Sequence, residues 1–211
     1  MVKDISIYLA GKIQKAHEHP NETYWTKNDQ QILSQSFAPH RVHFLNPALR
    51  TDDLSDQRST FGRDMLQVFT SDAVFVDARD RHGLGVGAEM MWAKMNRISV
   101  ISFSPLGSHY HKQSTSLLGI EVKSWIHPFV ENLSDAIVES LEEAAAWFVG
   151  VLEAVQSQIK GPEWIQKAMQ YYLEEQFSFD MPMIDLAKAN KELENRFRLI
   201  ASIQTTTMCE Q

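Results

Sequence analysis

Glu89 stands in the run Gly83-Leu84-Gly85-Val86-Gly87-Ala88-Glu89-Met90-Met91-Trp92-Ala93, and its surroundings invite chemistry. Just before it, Ser71-Asp72-Ala73-Val74-Phe75-Val76-Asp77 reads as a short buried strand. A buried strand, a polar glycine-containing loop and a helix opening on a carboxylate form the layout of an α/β active site. In such sheets ligands bind beyond the carboxyl ends of the strands. A glutamate in the first helical turn faces open N–H groups and the positive end of the dipole, which favour its ionised form. An ionised, positioned carboxylate can attack an electrophilic carbon. Asp77, at the end of the same strand, is placed to reach a ligand, whereas Asp72 reads as a turn or capping residue.

Other arrangements are weaker. Gly83, Gly85 and Ala88 fit the G-x-G-x-x-A form of the dinucleotide fingerprint. That fingerprint normally follows the first strand and is answered by an acidic residue about 20 positions on. Here it follows the third strand, and no Asp or Glu occurs between Met90 and Ile120. The histidines His17 and His19, His40 and His43, and His109 and His111 match no zinc-ligand spacing, so no metal site and no cofactor is expected. Tyr24, Trp25 and Trp92 read as packing residues. There is no G-x-S-x-G elbow for acyl transfer.

The elements that must position Glu89 follow from hydrophobic spacing. Ile5–Ala10, Val42–Leu45, Ala73–Val76 and Ser99–Phe103 read as strands, with a fifth expected within Ile120–Ile126. Helices are expected over Lys27–Phe37, Arg58–Ser71 and about Gly85–Met95. Ser108–Ser116 reads as a polar loop, and Ser134–Ile159 as one long helix ended by Gly161-Pro162. Two more helices are expected near Glu163–Gln176 and Pro182–Ser202, the latter with an apolar stripe of Leu186, Leu193, Phe197 and Ile200.

Strands alternating with helices call for a parallel sheet covered on both faces. The expected fold is therefore a doubly wound, flavodoxin- or Rossmann-like α/β domain of about five parallel strands over residues 1–132. Residues 133–211 would form a C-terminal helical extension, packed on the domain or on a partner subunit. A formal charge of −7 disfavours nucleic acid as the main partner. The single cysteine, Cys209, excludes an intrachain disulfide and fits a reducing compartment. With no secretory pattern at the start and no apolar stretch of membrane-spanning length, the expected location is cytoplasmic.

Tyr8-Leu9-Ala10-Gly11-Lys12-Ile13, Asp64 ahead of Ser71–Val76, and Leu84-Gly85-Val86-Gly87-Ala88-Glu89 together resemble the nucleoside 2-deoxyribosyltransferase superfamily. The Leu-Gly-Val-Gly-x-Glu run is particularly similar to its 2′-deoxynucleoside 5′-monophosphate N-glycosidase branch. The resemblance covers about residues 5–105. It implies cleavage of a nucleoside or nucleotide N-glycosidic bond through a covalent glycosyl-enzyme intermediate, without cofactor or metal. Carried over residue by residue, Glu89 is the nucleophile, Asp64 assists the departing base or holds the sugar, and Tyr8 lies against Glu89. Gly11, Lys12, Asp77, Gly83, Gly85 and Gly87 are the matching candidates for substrate binding. Lys12 and Gly83 stand where the nucleotide-cleaving branch has phosphate-holding serines. Gly83 also falls near the place of a transferase Asp that contacts the base, with Asp80 upstream as a substitute.

The resemblance further implies a homodimer or higher homo-oligomer. Hydrolysis and transfer both remain open. So do two other readings, a non-catalytic nucleotide sensor and an N-ribosyl hydrolase of a nicotinamide dinucleotide.

Overall fold

A computed structural model describes residues 2–13, 24–155 and 159–202. By contact the chain divides into two units, Met1–Gly161 and Pro162–Gln211. The first is α/β and is built on a five-stranded parallel sheet in the order β2-β1-β3-β4-β7. Its strands are β1 (Asp4–Ala10), β2 (Arg41–Leu45), β3 (Ala73–Asp77), β4 (Ser99–Phe103) and β7 (Ala136–Val138). Helices α1 (Lys27–Ser36), α2 (Gln57–Thr70), α3 (Leu84–Met95), α4 (Pro128–Leu133) and α5 (Leu141–Leu152) cover it. The doubly wound, Rossmann-like expectation therefore holds.

Strand parity sorts the sheet's side chains into two cores. Ile5, Ile7 and Leu9 of β1, with Ala73 and Phe75 of β3, join Leu33 of α1, Phe37 at its C-terminal cap and Phe148 of α5. Phe37, Phe75 and Phe148 sit with ring centroids 6.1–6.3 Å apart, within the range of favourable edge and tilted packing. Tyr8 and Ala10 of β1 and Val74 and Val76 of β3 point the other way, onto Val68 of α2 and Val86, Met90 and Ala93 of α3. Because successive strand residues face opposite sides, Tyr8 is committed to the α2–α3 side as soon as Ile7 and Leu9 are buried on the other.

Helix starts follow local chemistry. Thr26 and Asp29 form a capping box on α1, and Asp56 Oδ1 accepts from Ser59 N–H at 3.0 Å to open α2. Ser140 Oγ accepts from Glu143 N–H at 3.1 Å to open α5.

Three expectations need correction. Ile120–Ile126 is a strand, β6, yet it pairs antiparallel with β5 (His111–Leu117) in a separate two-stranded hairpin. Leu118 and Gly119 turn that hairpin with φ of +50° and +84°, a two-residue turn that splits what the sequence suggested was loop followed by a sheet strand. The fifth parallel strand is instead Ala136–Val138, hidden at the start of a segment that reads as helix throughout. The α/β unit consequently runs to Gly161, not to residue 132, since β7 and α5 complete its sheet and core.

The second unit holds α6 (Pro162–Glu175), a 3₁₀ turn (Phe177–Phe179), α7 (Met181–Ala189) and α8 (Lys191–Ser202). The expected helix over Pro182–Ser202 is thus two helices, broken at Asn190. Leu193, Phe197 and Ile200 are half-buried within the unit, with Phe197 against Phe177 at 5.6 Å, while Leu186 stays exposed. No helix among the described residues is long and apolar enough to cross a membrane.

Candidate active site

Tyr8 reaches across from β1 and donates its hydroxyl to Glu89 Oε1 at 2.9 Å. The tyrosine is wholly buried and Glu89 is 9% exposed. The second carboxylate oxygen, Oε2, is covered and has no hydrogen-bond partner. Gly85, four residues earlier on the same helical side, lies under the carboxylate: a Cβ built there would stand 3.9 Å from Oε1.

The expectation that Glu89 opens the helix is not met. Helix α3 starts at Leu84, so Glu89 is its sixth residue and no acidic residue lies in the first turn. The dipole effect fades beyond that turn and is worth at most about 1 kcal/mol in exposed settings. Burial dominates instead. It pushes Glu89 up from the ordinary 4.5 to about 7, with the Tyr8 hydrogen bond opposing and the charge of Asp64 adding to the rise. At about 1.4 kcal/mol per pH unit this is a bias of about 3 kcal/mol toward the protonated acid, more than the dipole could offset. Burial and the neighbouring carboxylate likewise hold Tyr8 well above its ordinary range, so it remains a donor.

Asp64 comes from α2. Trp92 Nε1 donates to Met65 O at 3.2 Å and its ring lies 6.4 Å from Phe69, tying the Glu89 helix to the Asp64 helix. Arg63 Nη1 and Arg50 Nη1 stand 3.5 and 3.8 Å from Asp64 Oδ1, off hydrogen-bonding geometry, so that oxygen also has no donor. Burial raises the Asp64 carboxyl above its ordinary value despite both guanidiniums. Arg50, whose side chain is only 9% exposed, and Arg63 were not singled out in the sequence. Arg63 had one available signal, adjacency to Asp64; Arg50 sits in a polar loop with none.

Asp77 is paired within the protein. Its parity with Ala73 and Phe75 turns it to the α1 side, away from Glu89. There Arg79 Nε and Nη2 each donate to it at 2.8 Å, and Arg79 continues to Asp29 at 3.3 Å. Asp72 is structural, accepting the Ser6 N–H at 2.7 Å. Gly11 is required by close packing, because a Cβ there would lie 3.1 Å from Asp77 Cβ and 3.3 Å from the Trp25 ring. Trp25 itself is buried and donates to Ala10 O at 2.9 Å.

The remaining binding candidates divide between two cavities. Gly11 and Lys12 line a cleft of about 480 Å³ beyond the carboxyl ends of β1 and β2, together with Tyr24, Trp25, Lys27 and Asn46. Gly83 and Gly87 line a smaller cavity of about 150 Å³ on the other side of the α3 start. Neither cavity counts Tyr8, Asp64 or Glu89 among its described lining residues.

Of the histidines, His40 accepts from Lys3 N–H, His43 pairs with Asp4 at 3.0 Å, and His111 contacts Ser104 O at 2.8 Å. His17 and His19 lie outside the described residues. The fold and site define a doubly wound α/β protein with a buried tyrosine–carboxylate pair and a second carboxylate beside it. No protein-family model matches the chain, and neither does any curated protein.

Proposed function

We propose that the protein cleaves or transfers at the N-glycosidic bond of a nucleoside or nucleoside 5′-monophosphate through a glycosyl-enzyme intermediate on Glu89. The observation that carries this reading is the asymmetry of the Glu89 carboxylate. One oxygen is held by Tyr8 and the other is free of any hydrogen bond. Tyr8 fixes the carboxylate while Oε2 forms the bond to the anomeric carbon, as the bond from that carbon to the base nitrogen breaks. Asp64, with its affinity for a proton raised, supplies that proton to the departing base or positions the sugar. Water or a second base then takes the sugar from Glu89, giving hydrolysis or transfer respectively.

Only the ionised form of Glu89 attacks, so activity rises as pH passes through about 7. Lys12, in the larger cleft, is the candidate partner for a 5′-phosphate as a point charge. Exposed Phe61 and Phe69 of α2, with Leu84 and Met95 of α3, supply an apolar surface that favours a homo-oligomer, to be checked by light scattering.

The test is to incubate the protein with a panel of nucleosides, their 5′-monophosphates and a nicotinamide dinucleotide while following free base by chromatography. Base release from at least one substrate, abolished in Glu89→Ala, is expected. Tight binding with no release by the wild type sinks the reading in favour of a sensor.

A further inference from the structure

The smaller cavity lies between the carboxyl end of β3, the first two turns of α3, α4 and the start of the β5–β6 hairpin. We infer that it is a binding site for one neutral heteroaromatic ring of the pyrimidine type, with the ring nitrogens of His82 and His127 as polar contacts. The inference rests on the glycosidic reading only in taking that ring to be the base of the substrate.

Size argues first. A cavity of about 150 Å³ matches the space in which a protein interior accepts a single six-membered ring. The walls argue next. Tyr110 stacks on His82 with centroids 5.8 Å apart and meets His127 edge-on at 5.2 Å. Phe129, Val76, Val86 and Met90 complete an apolar surround. Flat aromatic walls of this kind recognise base faces, while polar atoms read base edges.

Those polar atoms are present and unused. Both ring nitrogens of His82 and Nδ1 of His127 are covered without any hydrogen-bond partner. Buried polar groups in folded proteins are nearly always paired, so three nitrogens without a protein partner around one cavity offer polar contacts to an occupant. Burial holds both imidazoles below their ordinary range. Each is therefore neutral near pH 7 and offers one N–H and one lone pair, the alternation that a pyrimidine edge carries. No lysine or arginine is among its described lining residues, which disfavours an anion. Val86 and Met90, which line the cavity, belong to the same helix as Glu89, three residues before it and one after.

The test titrates free uracil, cytosine, thymine, adenine and hypoxanthine into the full-length protein, read by calorimetry and ligand-observed NMR. Three proteins are compared: wild type, His82→Phe and Gly87→Leu. His82→Phe keeps a ring against Tyr110 and removes both nitrogens. At Gly87 an added Cβ meets no atom within 4 Å, so leucine narrows the cavity without a clash at its first atom. Circular dichroism checks that each variant folds. The expected result is binding of at least one single-ring base, none of the two-ring bases, and at least tenfold weaker binding in both variants. Absence of binding, equal binding of one- and two-ring bases, unaltered binding in folded His82→Phe, or displacement by inorganic phosphate would each overturn it. Ring binding that survives in Glu89→Gln keeps this inference separate from the catalytic one: loss of turnover there speaks only to Glu89.

Discussion

Replacing Glu89 with glutamine should remove a pH-dependent loss of stability that the wild type carries. In the folded protein Glu89 titrates at about 7, against an ordinary value of 4.5. Between these values the folded state keeps a proton that the unfolded chain has released, so stability falls by about 1.4 kcal/mol for each pH unit. The contribution is fully present below pH 4.5 and is lost as pH rises through 7, a total of about 3 kcal/mol. Because Glu89 is only 9% exposed, solvent screening takes little from that figure. Glutamine preserves the acceptor for Tyr8 and cannot ionise.

The stability advantage of Glu89→Gln over wild type should therefore grow by about 3 kcal/mol between pH 5 and pH 8.5. For a chain of this size that corresponds to roughly 6–12 °C in relative melting temperature. His82 and His127, whose affinity for protons is lowered by burial, give a slope of opposite sign in both proteins, and it cancels in the difference. The assay is urea unfolding followed by circular dichroism across that pH range. Parallel pH profiles for the two proteins would refute the reasoning, since a carboxylate that is truly desolvated cannot titrate as it does in water. The same substitution should abolish base release, so stability and activity would move in opposite directions at one residue.

Tyr8→Phe removes the one donor to Glu89 among the described residues, and its loss should raise the Glu89 midpoint further, moving the rising limb of the activity–pH profile alkaline by about one to two pH units. Asp64→Asn removes a negative charge that pushes Glu89 upward, so the same limb should shift toward acid; profiles moving in one direction for both variants would contradict the site geometry. Lys94→Ala should cost about 3–5 kcal/mol in urea unfolding. Lys94 and Asp135 form an ion pair with both side chains essentially covered, and its loss leaves a buried carboxylate to the Val100 and Lys160 N–H groups without that counter-ion. A cost below about 1 kcal/mol would show that water reaches that pair.

Much of the fold was legible because burial imposes period. Continuous apolar runs marked β1, β3 and β4, and 3.6-residue spacing marked α1, α2 and α3 to within one or two residues. What escaped was short or polar. Three residues of β7 are too few to show a period, and the Ser140-x-x-Glu143 signature that starts α5 was the one cue separating it from the preceding segment. Strand β5 is polar on both faces, so no apolar alternation announces it, and β6, although expected as a strand, was left without its antiparallel partner.

Sequence alone placed Glu89 as the residue to watch, a carboxylate after a buried strand and a glycine-containing loop, and the family resemblance added Asp64 and Tyr8 to it. Tertiary structure decided what each of them is. Strand parity sends Tyr8 to Glu89 and Asp77 to Arg79, although nothing in their own neighbourhoods distinguishes a ligand-facing residue from an internally paired one. Helix α3 begins one residue earlier than periodicity suggested, which withdraws Glu89 from the dipole and leaves burial to set its proton affinity. The cavity of His82 and His127 was equally invisible, since its walls come from segments some 45 residues apart. Proton affinity and cavity shape depend on how much water is excluded, and that quantity exists only once distant segments have packed.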